Sequence, residues 1–178
     1  MSGAGEYRVR RLPALGERER RDLGDVLIDC VEGGASVSFM HPMTRAKADA
    51  FWRAVADDLA RGERAVLVAE DDAGGIVGTV QLVLRLPENQ PHRAEVAKML
   101  VHRRARRRGL AAALMSAVEA EARREGKTLL VLDTVTGGDA ERLYDRLGWE
   151  RCGRIPDFAL LPDGRPCATT VFFKVLGR

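Results

Sequence analysis

The residues most suited to chemistry are Arg106-Arg-Arg-Gly-Leu-Ala111, which follow the apolar stretch Val96-Ala-Lys-Met-Leu-Val101 and lead into Leu110, Leu114, Val118 and Ala122, spaced four apart. That order reads as strand, basic loop, glycine and helix. A helix N-terminus presents unpaired N–H groups and the positive end of the helix dipole. Gly109 lets the backbone approach a bound group closely, and arginines add charge-assisted hydrogen bonds. The chemistry this supports is capture of a compact polyanion, a pyrophosphate above all. Neither Gly-x-x-x-x-Gly-Lys-Ser/Thr nor Gly-x-Gly-x-x-Gly occurs, so a P-loop or a dinucleotide fingerprint does not account for it.

Five arginines fall between positions 103 and 108, and without them the formal charge of +3 becomes −2, from 24 basic and 26 acidic residues. The positive charge is local, which weakens a nucleic-acid reading and strengthens one for a small anion. Arginine outnumbers lysine 25 to 4 over the whole chain, so arginine abundance carries little weight by itself. Cys30, Cys152 and Cys167 form no Cys-x-x-Cys pair and read as packing residues, and His41, His92 and His102 lack metal-binding spacing. No metal site is expected.

A length of 178 residues and 46% hydrophobic content suit one domain, 1–178, with its own core. The longest stretches without a charged side chain, 33–44 and 73–84, hold 12 residues each, short of the roughly 20 that span a bilayer. Arg8, Arg10 and Arg11 are followed by no apolar segment, so no signal peptide is expected and the cytoplasm is the expected location.

The elements that must position the loop follow from periodicity and punctuation. Glu6 to Leu12 alternates as a strand and stops at Pro13, and a helix runs from about Pro13 to Val31, ending at Gly33-Gly34. Ala35 to Met43 reads as a loop over a cavity. Thr44 caps a helix to about Arg61, where Phe51, Val55 and Leu59 recur every four residues. Arg64 to Glu70 and Ile76 to Leu86 make a hairpin, and Arg93 to Val101 is the strand before the arginines. Gly109 opens a helix that ends near Gly126. Thr128 to Val135, with Leu129-Leu-Val-Leu132, suits a strand buried on both faces. A helix from about Asp139 closes at Gly148, and Trp149 to Ile155 pairs with Cys167 to Leu176 across a loop, Pro156 to Pro166. The fold class is α/β, a mixed central sheet with about four helices in the order β α α β β β α β α β β.

The junction resembles motif A of the GCN5-related N-acetyltransferases, Arg/Gln-x-x-Gly-x-Gly/Ala, here Arg106-x-x-Gly109-x-Ala111. The flanking elements over residues 6–176 are similar in order, and Tyr144 with Leu147-Gly148-Trp149 resembles that family's Tyr-x-x-x-Gly-Phe segment. A narrower resemblance, to the tabtoxin-resistance acetyltransferases that inactivate an amino-acid-like toxin by acetylating its amine, lies in Gly33 to Met40, Ala94-Glu-Val-x-Lys98, Leu132-Asp-Thr134 and Pro162-Asp-Gly-Arg165. Two positions depart from the family pattern. Arg107 stands where members often have glycine, and Gly137 replaces an asparagine that commonly contacts the cofactor.

What the resemblance implies is direct acetyl transfer from acetyl-CoA to the amine of a small molecule, amino-acid-like or an antibiotic. Glu95 and Asp133 are then the candidate bases, Tyr144 the acid for the departing thiolate, and a backbone N–H near Met99 or Leu100 an oxyanion donor. The cofactor would lie along Met99, Leu100 and Val101, with its pyrophosphate at Arg106, Arg107, Arg108, Gly109, Leu110 and Ala111. Phe39, Met40, His92, Glu95 and Asp133 would contact the acceptor, within a border formed by Gly33 to Met43, His92 and Phe158 to Arg165. Members of this fold often dimerise, so a homodimer is a further expectation. From the residues alone Glu95 reads as a strand carboxylate paired with Arg93 or Lys98, Asp133 as a loop cap, and Tyr144 as a core residue. Transfer to a protein N-terminus or lysine is the alternative acceptor reading, and a nucleic-acid module built on Arg103 to Arg108 the alternative class.

Overall fold

The computed structural model describes residues 7–177, so Glu6, where the first expected strand begins, lies outside the described residues. The element order is β1 (Arg8–Arg11), α1 (Glu17–Glu32), α2 (Arg45–Ala60), β2 (Arg64–Glu70), β3 (Ile76–Val83), β4 (Arg93–Val101), α3 (Leu110–Arg124), β5 (Leu129–Val135), α4 (Asp139–Arg146), β6 (Glu150–Leu160) and β7 (Pro166–Val175). The strands form one sheet ordered β1-β2-β3-β4-β5-β7-β6, in which the β4–β5 pair alone is parallel. This is the α/β class with a mixed sheet that the sequence predicts.

Period-two alternation in β2 divides its side chains between two cores. Ala65, Leu67 and Ala69 join a cluster with Leu114, Met115, Val118, Tyr144 and Phe172, while Val66 and Val68 join one with Leu23, Leu27, Trp52 and Val55. Helices α3 and α4 therefore cover one face of the sheet, and α1 and α2 the other. Thr44 caps α2 as expected, its hydroxyl accepting from the Lys47 N–H at 3.3 Å.

Two irregularities in β4 create room for a site. First, β4 pairs with β5 only at Arg93↔Leu129, Ala94↔Leu130 and Glu95↔Val131, although the strands run on to Val101 and Val135. Beyond Glu95 the two strands part. Second, Gln81 faces Ala97 and Thr79 faces Leu100 across the β3–β4 pair, so Lys98 and Met99 together stand opposite Val80. Lys98 takes φ +50 in this bulge, and the side-chain alternation shifts by one residue. Ala94, Val96, Met99 and Val101 consequently pack toward α3, and Leu100 packs toward α1 and α2.

Several expectations need correction. Helix α1 begins at Glu17, not at Pro13, and β3 ends at Val83, three residues before Leu86. A short 3-10 helix, Arg103–Ala105, sits within the arginine run. Part of the loop expected at Pro156 to Pro166 is strand, because β6 bulges at Pro156 to Phe158, with Asp157 at φ +49, and then pairs again at Ala159↔Cys167. β5 is buried on one face only. Leu130 and Leu132 are covered, whereas Asp133 is exposed where β4 has moved away. Cys30 is a packing residue, but Cys152 is exposed, and all three thiols are free.

Gly78 of β3 shows how closely α3 is set against the sheet. A Cβ built there would lie 3.1 Å from Leu114 Cδ1 and 3.2 Å from the Leu100 carbonyl oxygen. Gly78→Val should therefore overpack this junction and lower stability by about 1–3 kcal/mol, read as a lower urea midpoint.

Candidate active site

The loop between β4 and α3 carries the arginines, and the structure separates their tasks. Arg103 is tied to Asp29, its backbone N–H and its Nε each 2.8 Å from a carboxylate oxygen, and Arg104 pairs with Asp71 at 3.2 Å. These two fasten the loop to α1 and to the β2–β3 turn. Burial tends to raise the Asp29 carboxyl, but the Arg103 hydrogen bonds and the nearby charges of His102 and Arg103 hold it below its ordinary pKa. Arg106 turns its Nε to the Val101 carbonyl at 3.2 Å, and the Arg108 guanidinium lies over the Tyr7 ring, 5.7 Å from its centroid. Arg107 takes φ +62, the left-handed conformation that glycine adopts freely.

Gly109 is the N-cap of α3, at φ +77, with no side-chain cap and nothing within 4 Å of the place a Cβ would occupy. The first N–H groups of this 15-residue helix are thus left open to a ligand. Leu110 is itself a core side chain, so only its backbone is available at the helix end, while Ala111 is half-buried. Leu100 likewise faces the opposite core, and only its backbone borders the gap between β4 and β5. An open helix end, exposed arginines and a free strand edge fit a pyrophosphate joined to an extended amide-bearing arm.

Past the parting of the strands, Asp133 accepts a hydrogen bond from the Thr169 hydroxyl at 2.9 Å. Tyr144 is 5% exposed, packed against Trp149 and Phe172 with ring centroids 6.0 and 5.7 Å away. Burial pushes its phenol well above the ordinary value, and the Asp133 charge raises it further. Tyr144 therefore keeps its proton at neutral pH, as an acid must. Glu95 is held by Arg93 at 2.9 Å, the bland pairing that its sequence context suggested. His92 is exposed, and its carbonyl accepts from the Thr128 N–H at 2.8 Å where β5 begins. Phe39 stacks edge-on against Phe51 at 5.3 Å, and Met40 is exposed beside it.

A family model described as the acetyltransferase (GNAT) family matches residues 35–149. The chain belongs to the GNAT family of acetyltransferases. As a GNAT enzyme it uses acetyl-CoA as cosubstrate. An uncharacterised N-acetyltransferase from the hisH–hisA intergenic region of Azospirillum brasilense is 36% identical over 149 residues, 83% of this chain and 82% of that protein. The fold is similar to that of an N-acetyltransferase from Staphylococcus aureus Mu50, with TM-score 0.79, 17% identity and 97% and 99% of the two chains covered. It is also similar to a candidate acetyltransferase from Salmonella typhimurium solved with its cofactor acetyl-CoA, with TM-score 0.78, 20% identity and 97% and 95% covered.

In this GNAT enzyme Glu95 and Asp133 lie on the sheet face opposite α3, and Phe39 packs on Phe51 of α2 on that same side. Lys98, Ser38 and Phe51 also meet on this side; Ser38 lies within the expected Gly33 to Met43 border, whereas Lys98 and Phe51 were not expected as site residues. The signals for Lys98 were its place in the Ala94-Glu-Val-x-Lys98 stretch and its rarity as a lysine in an arginine-rich chain. A separate concavity of about 540 Å³ runs along α1 between Asp25, Asp29, Arg45 and Arg103, but those groups already pair with one another, which makes it an ion-paired seam.

Glu141 answers the Gly137 departure. It is 4% exposed and accepts from the Thr170 hydroxyl at 2.7 Å and from the Gly137 N–H at 2.5 Å, with Arg151 at 3.2 Å. The Thr170 bond leads in lowering its pKa from 4.5, so its stabilisation is complete above pH 4.5 and is lost as pH falls through the lower folded value. Thermal melts across acid pH should show Glu141→Gln losing less stability below pH 4.5 than the parent chain. A carboxylate at the helix end repels phosphate, so Gly109→Glu should weaken acetyl-CoA binding by more than about tenfold in calorimetry.

Proposed function

We propose that this acetyltransferase acetylates the amine of a small molecule, amino-acid-like or an antibiotic, with Asp133 as base and Tyr144 as acid. The observation that carries the reading is the parting of β4 from β5 beside Asp133, with the buried Tyr144 near enough for the Asp133 charge to act on its phenol. Bound acetyl-CoA supplies the acetyl group as a thioester. Asp133, exposed and oriented by Thr169, takes the proton from the acceptor ammonium directly or through one water. Tyr144 holds the proton that the thiolate needs on leaving. Glu95, engaged by Arg93, lines the same face and orients the acceptor.

Tyr144→Phe and Asp133→Asn should each lower kcat by about 10²- to 10⁴-fold, while the KM for acetyl-CoA stays within about threefold. Thiol release measured over a panel of amines checks both. Full activity in either variant, or failure of the parent protein to bind acetyl-CoA, would overturn the assignment.

A further inference from the structure

The mechanism above leaves one group on the acceptor face unused. Lys98 follows Ala94 and Val96 in a strand whose even-numbered positions face α3, and without the bulge it would point there too. The bulge turns it to the α2 side. There its ammonium lies 3.1 Å from the Ser38 hydroxyl and 5.8 Å from the Phe51 ring centroid. Ser38 itself sits at φ +77, so two non-glycine residues in the left-handed region face each other across this contact. Backbone strain of this kind persists where surrounding structure holds it, and it gathers at ligand sites.

The electrostatics of the pair are incomplete. Among the described residues no carboxylate lies within ion-pair distance of Lys98, in contrast to Lys174, which Glu119 holds at 2.8 Å. The acids on the same face are engaged elsewhere, Glu95 by Arg93 and Asp133 by Thr169. Burial lowers the Lys98 pKa, Arg64 lowers it further, and Asp133 only partly opposes them. A desolvated cation with a hydroxyl and an aromatic face for neighbours is short of an anion. Asp133, the proposed base, stands close enough on β5 for its charge to reach Lys98. One anion and one cation on a single face complement a zwitterion, its ammonium toward Asp133 and its carboxylate toward Lys98.

We propose that Lys98, turned into the acceptor site by the β4 bulge, binds the carboxylate of the acceptor, so that the enzyme selects amines carrying a nearby carboxylate. This rests on the reading of the site as a small-amine acetyltransferase. Ser38 fixes the ammonium and Phe51 supports the stem of the side chain. The group is a specificity determinant: it touches the acceptor away from the reacting nitrogen and takes no part in proton transfer.

The test compares amino acids with their methyl esters as acceptors, by thiol release, in the parent protein, Lys98→Met and Lys98→Arg. The parent should favour the free acids in kcat/KM by about 10- to 100-fold, the range expected for loss of a charge-assisted contact worth roughly 1.5–3 kcal/mol. Lys98→Met should bring the ratio toward one, chiefly through KM for the acids, and Lys98→Arg should keep part of the preference. Acetyl-CoA binding by calorimetry, with an affinity matching the parent, shows that each variant is folded. An unchanged acid-to-ester ratio in Lys98→Met, a parent that prefers esters, or a parent that turns over none of the acids overturns the proposal. Loss of acetyl-CoA binding in the parent overturns instead the reading on which it rests.

Discussion

The parting of β4 from β5 is the constraint on which the remaining structure depends. Three residue pairs hold the strands together, and beyond Glu95 and Val131 their facing edges are free. Buried backbone N–H and C=O groups need partners, so an open seam in the middle of a sheet is stable only beside solvent or a ligand. The outer walls keep the seam in place: β3 pairs along the far side of β4, and β7 pairs with all seven residues of β5. The opening is thus a gap between two half-sheets, each hydrogen-bonded along its outer side.

Each end of the gap receives a different chemistry. At one end α3 begins with a glycine cap, and Arg103 and Arg104 fasten the preceding loop through Asp29 and Asp71. Those two ion pairs use the excess charge of the arginine run for positioning, leaving Arg106, Arg107 and Arg108 at the surface. At the middle Tyr144 is buried in the α3-side core within reach of the Asp133 charge, and Lys98 stands on the α2 face. A buried phenol beside a carboxylate holds its proton, whereas an exposed carboxylate can accept one. In the proposed mechanism environment separates acid from base without any unusual residue type.

Much of this was legible in the sequence because it is local. Gly109 after a strand and before a regular apolar repeat specifies an open helix end, and Thr44 before α2 specifies a cap, since both effects act within a few residues. The continuous apolar run Leu129 to Leu132 was misleading in one respect. It suggested burial on both faces, yet the second face is uncovered at Asp133, where the neighbouring strand departs. Pro156 likewise suggested a loop, but β7 offers a long partner on which β6 bulges and then pairs again.

The sequence by itself determined the element order, the open glycine-capped end of α3 and the family, because periodicity, glycine placement and a compact motif encode them locally. Tertiary structure alone decided which charges are spent and which are free. Asp29 and Asp71 lie far along the chain from the arginines they hold, and Glu141 reaches Thr170 from another element. It also decided the direction of Lys98, since a single bulged residue reverses the face that every later side chain in the strand presents. Residue types are written in the chain, but pairing register and burial arise only when distant segments meet.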